Sequence, residues 1–370
     1  MLNPRSVRTR AAIALMVSLG AVASTTGVAQ AASQPVNVVG YSVVGPVFSA
    51  LETAFAATPA GQGVSFSNSF GASDTQTNNV AAGQPADLVN LSYEPNIQTL
   101  VDAGKVPANW PAQEGVQGGV QQGTAHSQTV LPTQGIVTDS AVVFVVRQGN
   151  PNGYTDWNSL VTKKAQIVTP NPTTSGSARW NLMAAYSSQI QQHKSPAQAT
   201  QFLRQIIAQS VAQPTSGSAS LAAFLSGTGT VLLSYEDDAL AAIAKGKPIQ
   251  IVMPPQTIEI ENPVALTTTG LKNPSAVAFY HYLFTPAAQT IFASNGFRPV
   301  LKSVWATTKS TFAAPASKQG LQPIAYLYPA GWDALNTQFF GSTVRFAKNN
   351  SSLPISGIVT YLEQFAGTAS

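Results

Sequence analysis

Short β-branched runs alternate with small-residue turns and helix-like stretches, and this rhythm restricts the chain to a few architectures. Val36-Asn37-Val38-Val39-Gly40-Tyr41 reads as a strand that ends in the turn-like Ser42-Val43-Val44-Gly45-Pro46, and a helix-like stretch runs from Val47 to Ala57. The grammar then returns. Val64-Ser65-Phe66-Ser67-Asn68 alternates as a strand, Gly71-Ala72-Ser73 turns, Asp74 to Ala82 reads as a helix, and Ala86 to Leu91 as a buried strand. Strand, turn, helix, strand is the order of a parallel α/β sheet.

A second set follows the Gln-, Gly- and Thr-rich residues 111–135, which lack apolar periodicity and read as a surface loop. It contains the buried strand Ala141–Val146, the sharp turn Asn150-Pro151-Asn152-Gly153, strands at Gln166–Thr169, Thr230–Ser234 and Ile249–Met253, and helices at Ala178–Gln192 and Ala197–Ser210. Pro254-Pro255 and Asn262-Pro263 bracket a return to the first set. One lobe is therefore expected from residues 32–138 and 256–310 and the other from 139–255, with 311–370 a helical segment packed on both. No short-period repeat is present, which argues against a solenoid.

The 370 residues suit two such lobes, and 44% hydrophobic content supplies their cores. Only 9% of residues are charged, against roughly a quarter in an ordinary soluble protein. That value excludes a basic nucleic-acid binder, an acidic tail and a coiled coil. Arg5, Arg8 and Arg10 precede an apolar run from Ala11 to Ala23, and Ala29-Gln30-Ala31 has the small-x-small pattern of a signal-peptidase site. A run this short falls below the roughly 20 residues of a spanning helix, so residues 1–31 read as a signal peptide cleaved near Ala31. Cleavage removes three of the 19 basic residues and none of the 15 acidic ones, leaving a net charge of +1. Cysteine is absent, so no disulfide staples the fold and no lipid-bearing Cys follows the signal. A soluble periplasmic or secreted protein is expected. His126, His193 and His281 are scattered without a second ligand at helical spacing, so no metal and no cofactor is expected.

Chemistry concentrates in Thr169-Pro170-Asn171-Pro172-Thr173-Thr174-Ser175-Gly176-Ser177-Ala178-Arg179-Trp180. Two prolines stiffen a loop after a strand, and Ser175 is a helix N-cap residue. Backbone N–H groups at Gly176 and Ser177, hydroxyls at Ser175 and Ser177, and the positive end of a helix dipole make an anion site without a cationic side chain. Ser42, Ser73 and Ser216-Gly217-Ser218 occupy three more strand-to-helix turns, where an open α/β sheet places its ligand. No phosphate loop with its Lys is present, nor a Gly-x-Ser-x-Gly elbow, and Glu236-Asp237-Asp238 read as helix-start acids that fan apart. An enzyme is not expected.

These residues resemble the periplasmic sulfate-binding proteins of ABC-type uptake systems. Thr169 to Trp180 carries the likeness, with Val231-Leu232-Leu233-Ser234-Tyr235-Glu236-Asp237-Asp238-Ala239-Leu240, Val145 to Pro151 and Asn295-Gly296-Phe297-Arg298-Pro299. It spans residues 37 to 305 and continues through Gly331-Trp332. The resemblance implies a two-lobed α/β periplasmic binding protein fold of type II, with the anion in the cleft between lobes and delivered to a membrane permease. Residue by residue, Ser73 matches a serine whose hydroxyl and main chain hold the oxyanion, and Ser175 and Gly176 match the helix-start donors. Ser177 takes a place usually held by glycine, Ser42 that of an aspartate used through its main chain, and Tyr235 that of a tryptophan whose indole N–H donates. Around Ser218 and Ala219 the family's Gly-Ala-Arg-Gly run is altered and one residue shorter.

Sulfate at neutral pH carries no proton and only accepts hydrogen bonds, so donors without a carboxylate acceptor suit it. Phosphate usually keeps a proton and rewards an acceptor. Asp74, next to Ser73, is read as a helix-dipole acid; Arg179 either screens the anion or pairs with an acid, and the sequence leaves both open. A monomer capturing sulfate for an ABC importer is the expectation, without nucleic acid. Thiosulfate, molybdate or phosphate is the alternative ligand, and an exported ester hydrolase the alternative class.

Overall fold

The computed structural model describes residues 35–113, 119–120, 130–131, 133–315, 321–346, 351–355 and 357–366. The expected signal peptide lies outside them. The first elements are β1 (Val36–Tyr41), α1 (Gly45–Ala56), β2 (Phe66–Gly71), α2 (Ser73–Ala81), β3 (Leu88–Asn90) and α3 (Glu94–Asp102). Next come β4 (Gly119–Val120), β5 (Val130–Leu131), β6 (Ile136–Arg147), α4 (Trp157–Thr162), β7 (Ile167–Val168), α5 (Gly176–Gln191), α6 (Pro196–Ala208) and β8 (Ser210–Ala212). After these follow α7 (Gly217–Leu225), β9 (Val231–Tyr235), α8 (Glu236–Ala244), β10 (Ile249–Val252), β11 (Thr257–Leu266), α9 (Pro274–Leu283) and α10 (Pro286–Ser294). The chain ends with β12 (Arg298–Pro299), α11 (Lys302–Thr308), β13 (Leu321–Gln322), α12 (Ile324–Leu327), α13 (Gly331–Phe339), β14 (Ser342–Phe346), β15 (Ser351–Ile355) and α14 (Ile358–Ala366).

The main sheet runs β2-β1-β3-β11-β6-β9-β7-β8. Strand β1 pairs in parallel with β2 and β3, and β7 in parallel with β8 and β9. Between these two parallel halves stand β11 and β6, antiparallel to each other from Glu259↔Ala141 onward. Strands buried on both faces read as near-continuous apolar runs. In β6 every residue from Val137 to Val146 is buried although its neighbours run antiparallel, and Ala141–Val146 is the apolar part that the sequence displays. Among the described residues no helix is long and apolar enough to cross a membrane.

Several boundaries move for identifiable reasons. Strand β2 starts at Phe66 rather than Val64 and runs on through Gly71, because its register with β1 extends from Val36↔Phe66 to Tyr41↔Gly71. Its residues are half-exposed, so burial leaves little mark on its ends. Ser210, read as the end of a helix, begins β8 beside β7. Asn262-Pro263 does not interrupt the chain: β11 passes through it with a register shift, the irregularity at which a strand tolerates a residue without an N–H. The segment 311–370 carries helices α12, α13 and α14, but also β13 beside β11 and a β14–β15 hairpin. Trp332 of α13 packs edge-on against Tyr93 at 5.2 Å and against Trp180 of α5 at 4.6 Å between ring centroids.

Candidate anion-binding site

The carboxyl ends of the parallel strands in both halves open into loops that begin helices, the crevice in which open α/β sheets hold ligands. Helix α5 starts there in an unusual way. Ser175 occupies its N-cap position with extended backbone, yet its side chain makes no capping bond; its hydroxyl pairs with Ser177 Oγ at 2.7 Å instead. Both serines are buried. The first-turn N–H groups of a helix have no intrahelical acceptor, and no acidic side chain sits in this first turn, so the positive end of α5 is left uncompensated by its own residues. Helices α6 and α7 behave conventionally: Ser195 and Ser216 accept from Gln198 and Ala219 main-chain N–H groups.

The sequence-designated residues come together around α5. Ser218 N–H donates to Ser42 Oγ at 3.4 Å, and a Cβ on Gly217 would lie 3.4 Å from Ser177 Oγ. A Cβ on Gly176 would overlap Ser92 Oγ and come within 2.6 Å of the Tyr93 ring, so only glycine fits. Ser92 N–H in turn donates to Ser73 Oγ at 3.0 Å, and Tyr235 OH donates to the Ser92 carbonyl at 3.5 Å. Ser42, Ser73, Ser175, Gly176, Ser177, Ser218 and Tyr235 are thereby linked through a continuous set of contacts. Ala219 N–H, by contrast, donates to its own helix cap, Ser216 Oγ, at 3.2 Å. The Ser73 hydroxyl donates to Asn96 Oδ1 at 2.7 Å, and the Ser73 carbonyl accepts from Thr77 Oγ1 at 2.8 Å.

Asp74 has both oxygens occupied. Oδ1 accepts from Asn96 Nδ2 and Oδ2 from Arg179 Nη2, each at 2.8 Å, so Arg179 pairs with an acid and Asp74 is no vacant acceptor. The Tyr235 hydroxyl is held well above the usual phenol range, by burial first and the Asp237 carboxyl second, and stays a donor. Glu236, Asp237 and Asp238 do fan apart, to Arg298, Ser140 and Ser234, but all three are buried rather than displayed on the surface. A cavity of about 270 Å³ is lined by Ser42, Ser218, Asp237, Asp238, Lys245 and Lys247 among others. Among the described residues no group of three or more His, Asp or Glu could hold a metal ion.

Ser92 and Asn96 were not singled out from the sequence. Ser92 follows a strand as Ser42 does, and that position was its only signal.

Residues 36–298 match the family described as bacterial extracellular solute-binding protein. The chain belongs to that family. This solute-binding protein is 35% identical over 326 residues to a sulfate-binding protein of Synechococcus elongatus, covering 85% of this chain and 87% of that one. A thiosulfate-binding protein of Pseudomonas aeruginosa is 30% identical over 293 residues, 76% of this chain and 83% of its own. The structure of the sulfate-binding protein SubI from Mycobacterium tuberculosis H37Rv superposes with a TM-score of 0.74 at 38% identity, covering 83% of this chain and 99% of that one. A periplasmic thiamin-binding protein at 18% identity and TM-score 0.57 shares the fold alone. The solute-binding protein therefore has the two-lobed α/β, type II binding-protein fold that its resemblance to the sulfate-binding proteins implied.

Proposed function

We propose that this solute-binding protein captures sulfate and hands it to an ABC-type importer. The observation that carries the reading is the start of α5, where the N-cap serine declines to cap and the helix end faces a cluster of hydroxyls. Sulfate needs only donors, and the nearby carboxylate, Asp74, is already satisfied by Asn96 and Arg179. The proposed donors are the main chains of Ser42, Ser73, Gly176 and Ser177 and the hydroxyls of Ser175 and Ser177, with Ser218 N–H and the Tyr235 phenol exchanging their long bonds of 3.4 and 3.5 Å to Ser42 Oγ and the Ser92 carbonyl for the anion, while Ser175 N–H stays on the Asn171 carbonyl at 3.0 Å. Ala219 is left out because Ser216 holds its N–H. The names of the cyanobacterial and mycobacterial relatives support the same ligand.

The reading includes export after cleavage near Ala31, a periplasmic or secreted monomer, and lobes formed by residues 32–138 with 256–310 and by 139–255. It makes the protein a carrier rather than an enzyme, since the crevice offers donors without an activated nucleophile. Thiosulfate is the second reading, favoured by the Pseudomonas relative. Calorimetry of the mature protein against sulfate, thiosulfate, molybdate and phosphate tests it. Sulfate is expected to bind most tightly and phosphate least; tight phosphate binding without sulfate binding overturns the proposal.

A further inference from the structure

We infer that the Ser92 hydroxyl is a further hydrogen-bond donor to the anion at the start of α5, an inference that rests on the oxyanion reading above. Ser92 is 1% exposed, and its Oγ is buried without a hydrogen-bond partner. Its main chain, by contrast, is held from several sides. The N–H donates to Ser73 Oγ, and the carbonyl accepts from Trp180 Nε1 at 2.8 Å, Asn262 Nδ2 at 3.2 Å and Tyr235 OH at 3.5 Å. Backbone pinned in this way leaves the hydroxyl only its rotation about the Cα–Cβ bond.

That hydroxyl stands against the α-carbon of Gly176, the first residue of α5, close enough that a side chain there would overlap it. A buried hydroxyl without a partner is costly, and other serines of the crevice avoid the cost: Ser73 bonds Asn96, and Ser175 and Ser177 bond each other. Ser92 has a proton to give and no protein acceptor. An oxyanion held by the N–H groups of α5 supplies one, and the bond forms only when the anion is bound. Ser92 therefore raises affinity while adding nothing to the fold in the anion's absence.

The test is Ser92→Ala in the mature protein, with calorimetry against sulfate and thermal melting with and without it. The melting temperature without anion is expected to be unchanged or higher, because an unsatisfied hydroxyl is removed. The dissociation constant for sulfate is expected to rise about tenfold, the effect of one hydrogen bond to a charged group. Equal affinity in variant and parent overturns the inference. So does weaker binding accompanied by a lower melting temperature without anion, which makes Ser92 a packing residue. Ser92→Gly repeats the comparison if Ser92→Ala does not fold. A parent protein that binds thiosulfate or molybdate in place of sulfate moves the comparison to that anion, and one that binds no oxyanion removes the proposed function and this inference together.

Discussion

Arg179 Nη2 lies 2.8 Å from Asp74 Oδ2 and ties the first turn of α5 to the first turn of α2. The Asp74 N–H reinforces the link by donating to the Thr174 carbonyl at 3.2 Å. The guanidinium also faces the Tyr93 and Phe340 rings, 5.4 and 5.0 Å from their centroids, which holds it in place. A bare carboxylate beside a bound dianion would repel it. The ion pair with Arg179 balances that charge.

Removing the arginine alone should therefore be worse than removing both partners. Arg179→Ala is expected to weaken sulfate binding at least tenfold, because Asp74 is left unpaired next to the anion. Asp74→Asn in the same chain should restore most of the loss, and calorimetry on the two single variants and the double variant reads the coupling. On stability each single change should cost about 1.5–3 kcal/mol, the range for hydrogen bonds to charged groups. Additive losses of affinity would show that the pair does not act as a unit.

Ser175→Asp tests the helix start directly. Aspartate is a favoured N-cap, so melting temperature without anion should hold or rise. Its carboxylate would take up the N–H groups of α5 and repel a second negative charge. Sulfate affinity is expected to fall by more than a hundredfold, and unchanged affinity by calorimetry would remove α5 from the site.

Stability should decline as pH rises from about 4 to about 8. Burial pushes Asp237 up to about 8 against the opposing Ser140 hydrogen bond, Glu261 up to about 7 with help from Glu94, and Asp238 up to about 6. Between the ordinary and the folded values the native protein binds more protons than the unfolded chain, so stability is fullest below the ordinary values and is lost as pH climbs through the folded ones. Melting temperature measured without anion should drop between pH 5 and pH 8.5, and Asp237→Asn should flatten the upper part of that fall. A melting temperature that rises across this range would contradict the assignment.

The sequence made some of this legible and hid the rest for physical reasons. Strands β1, β3 and β6 are legible because they are buried on both faces, which favours the β-branched and apolar residues Val38-Val39, Leu88-Val89 and Ala141–Val146 that make up most of them. The serine turns were visible because strand ends in this fold must reverse into helices within a few residues. Their hydrogen bonds were not. Ser175-Gly176-Ser177 and Ser216-Gly217-Ser218 are the same tripeptide, yet Ser216 caps its helix and Ser175 bonds Ser177. Identical local sequence leaves that choice to surroundings contributed by distant segments. The same holds for Arg179, whose acidic partner lies 105 positions away, and for Ser92, whose meaning depends on Gly176 pressing against it.

The double contact of Trp332 gives the molecule an optical signal of its own. Its ring meets Tyr93, which follows β3, and Trp180, the α5 residue that donates to the Ser92 carbonyl. Any movement that parts α5 from the end of β3 must pull one of those rings away and change the surroundings of two indoles at once. Intrinsic tryptophan emission should thus follow the opening and closing of the crevice without an attached dye, giving a stopped-flow route to the rates of anion capture and release.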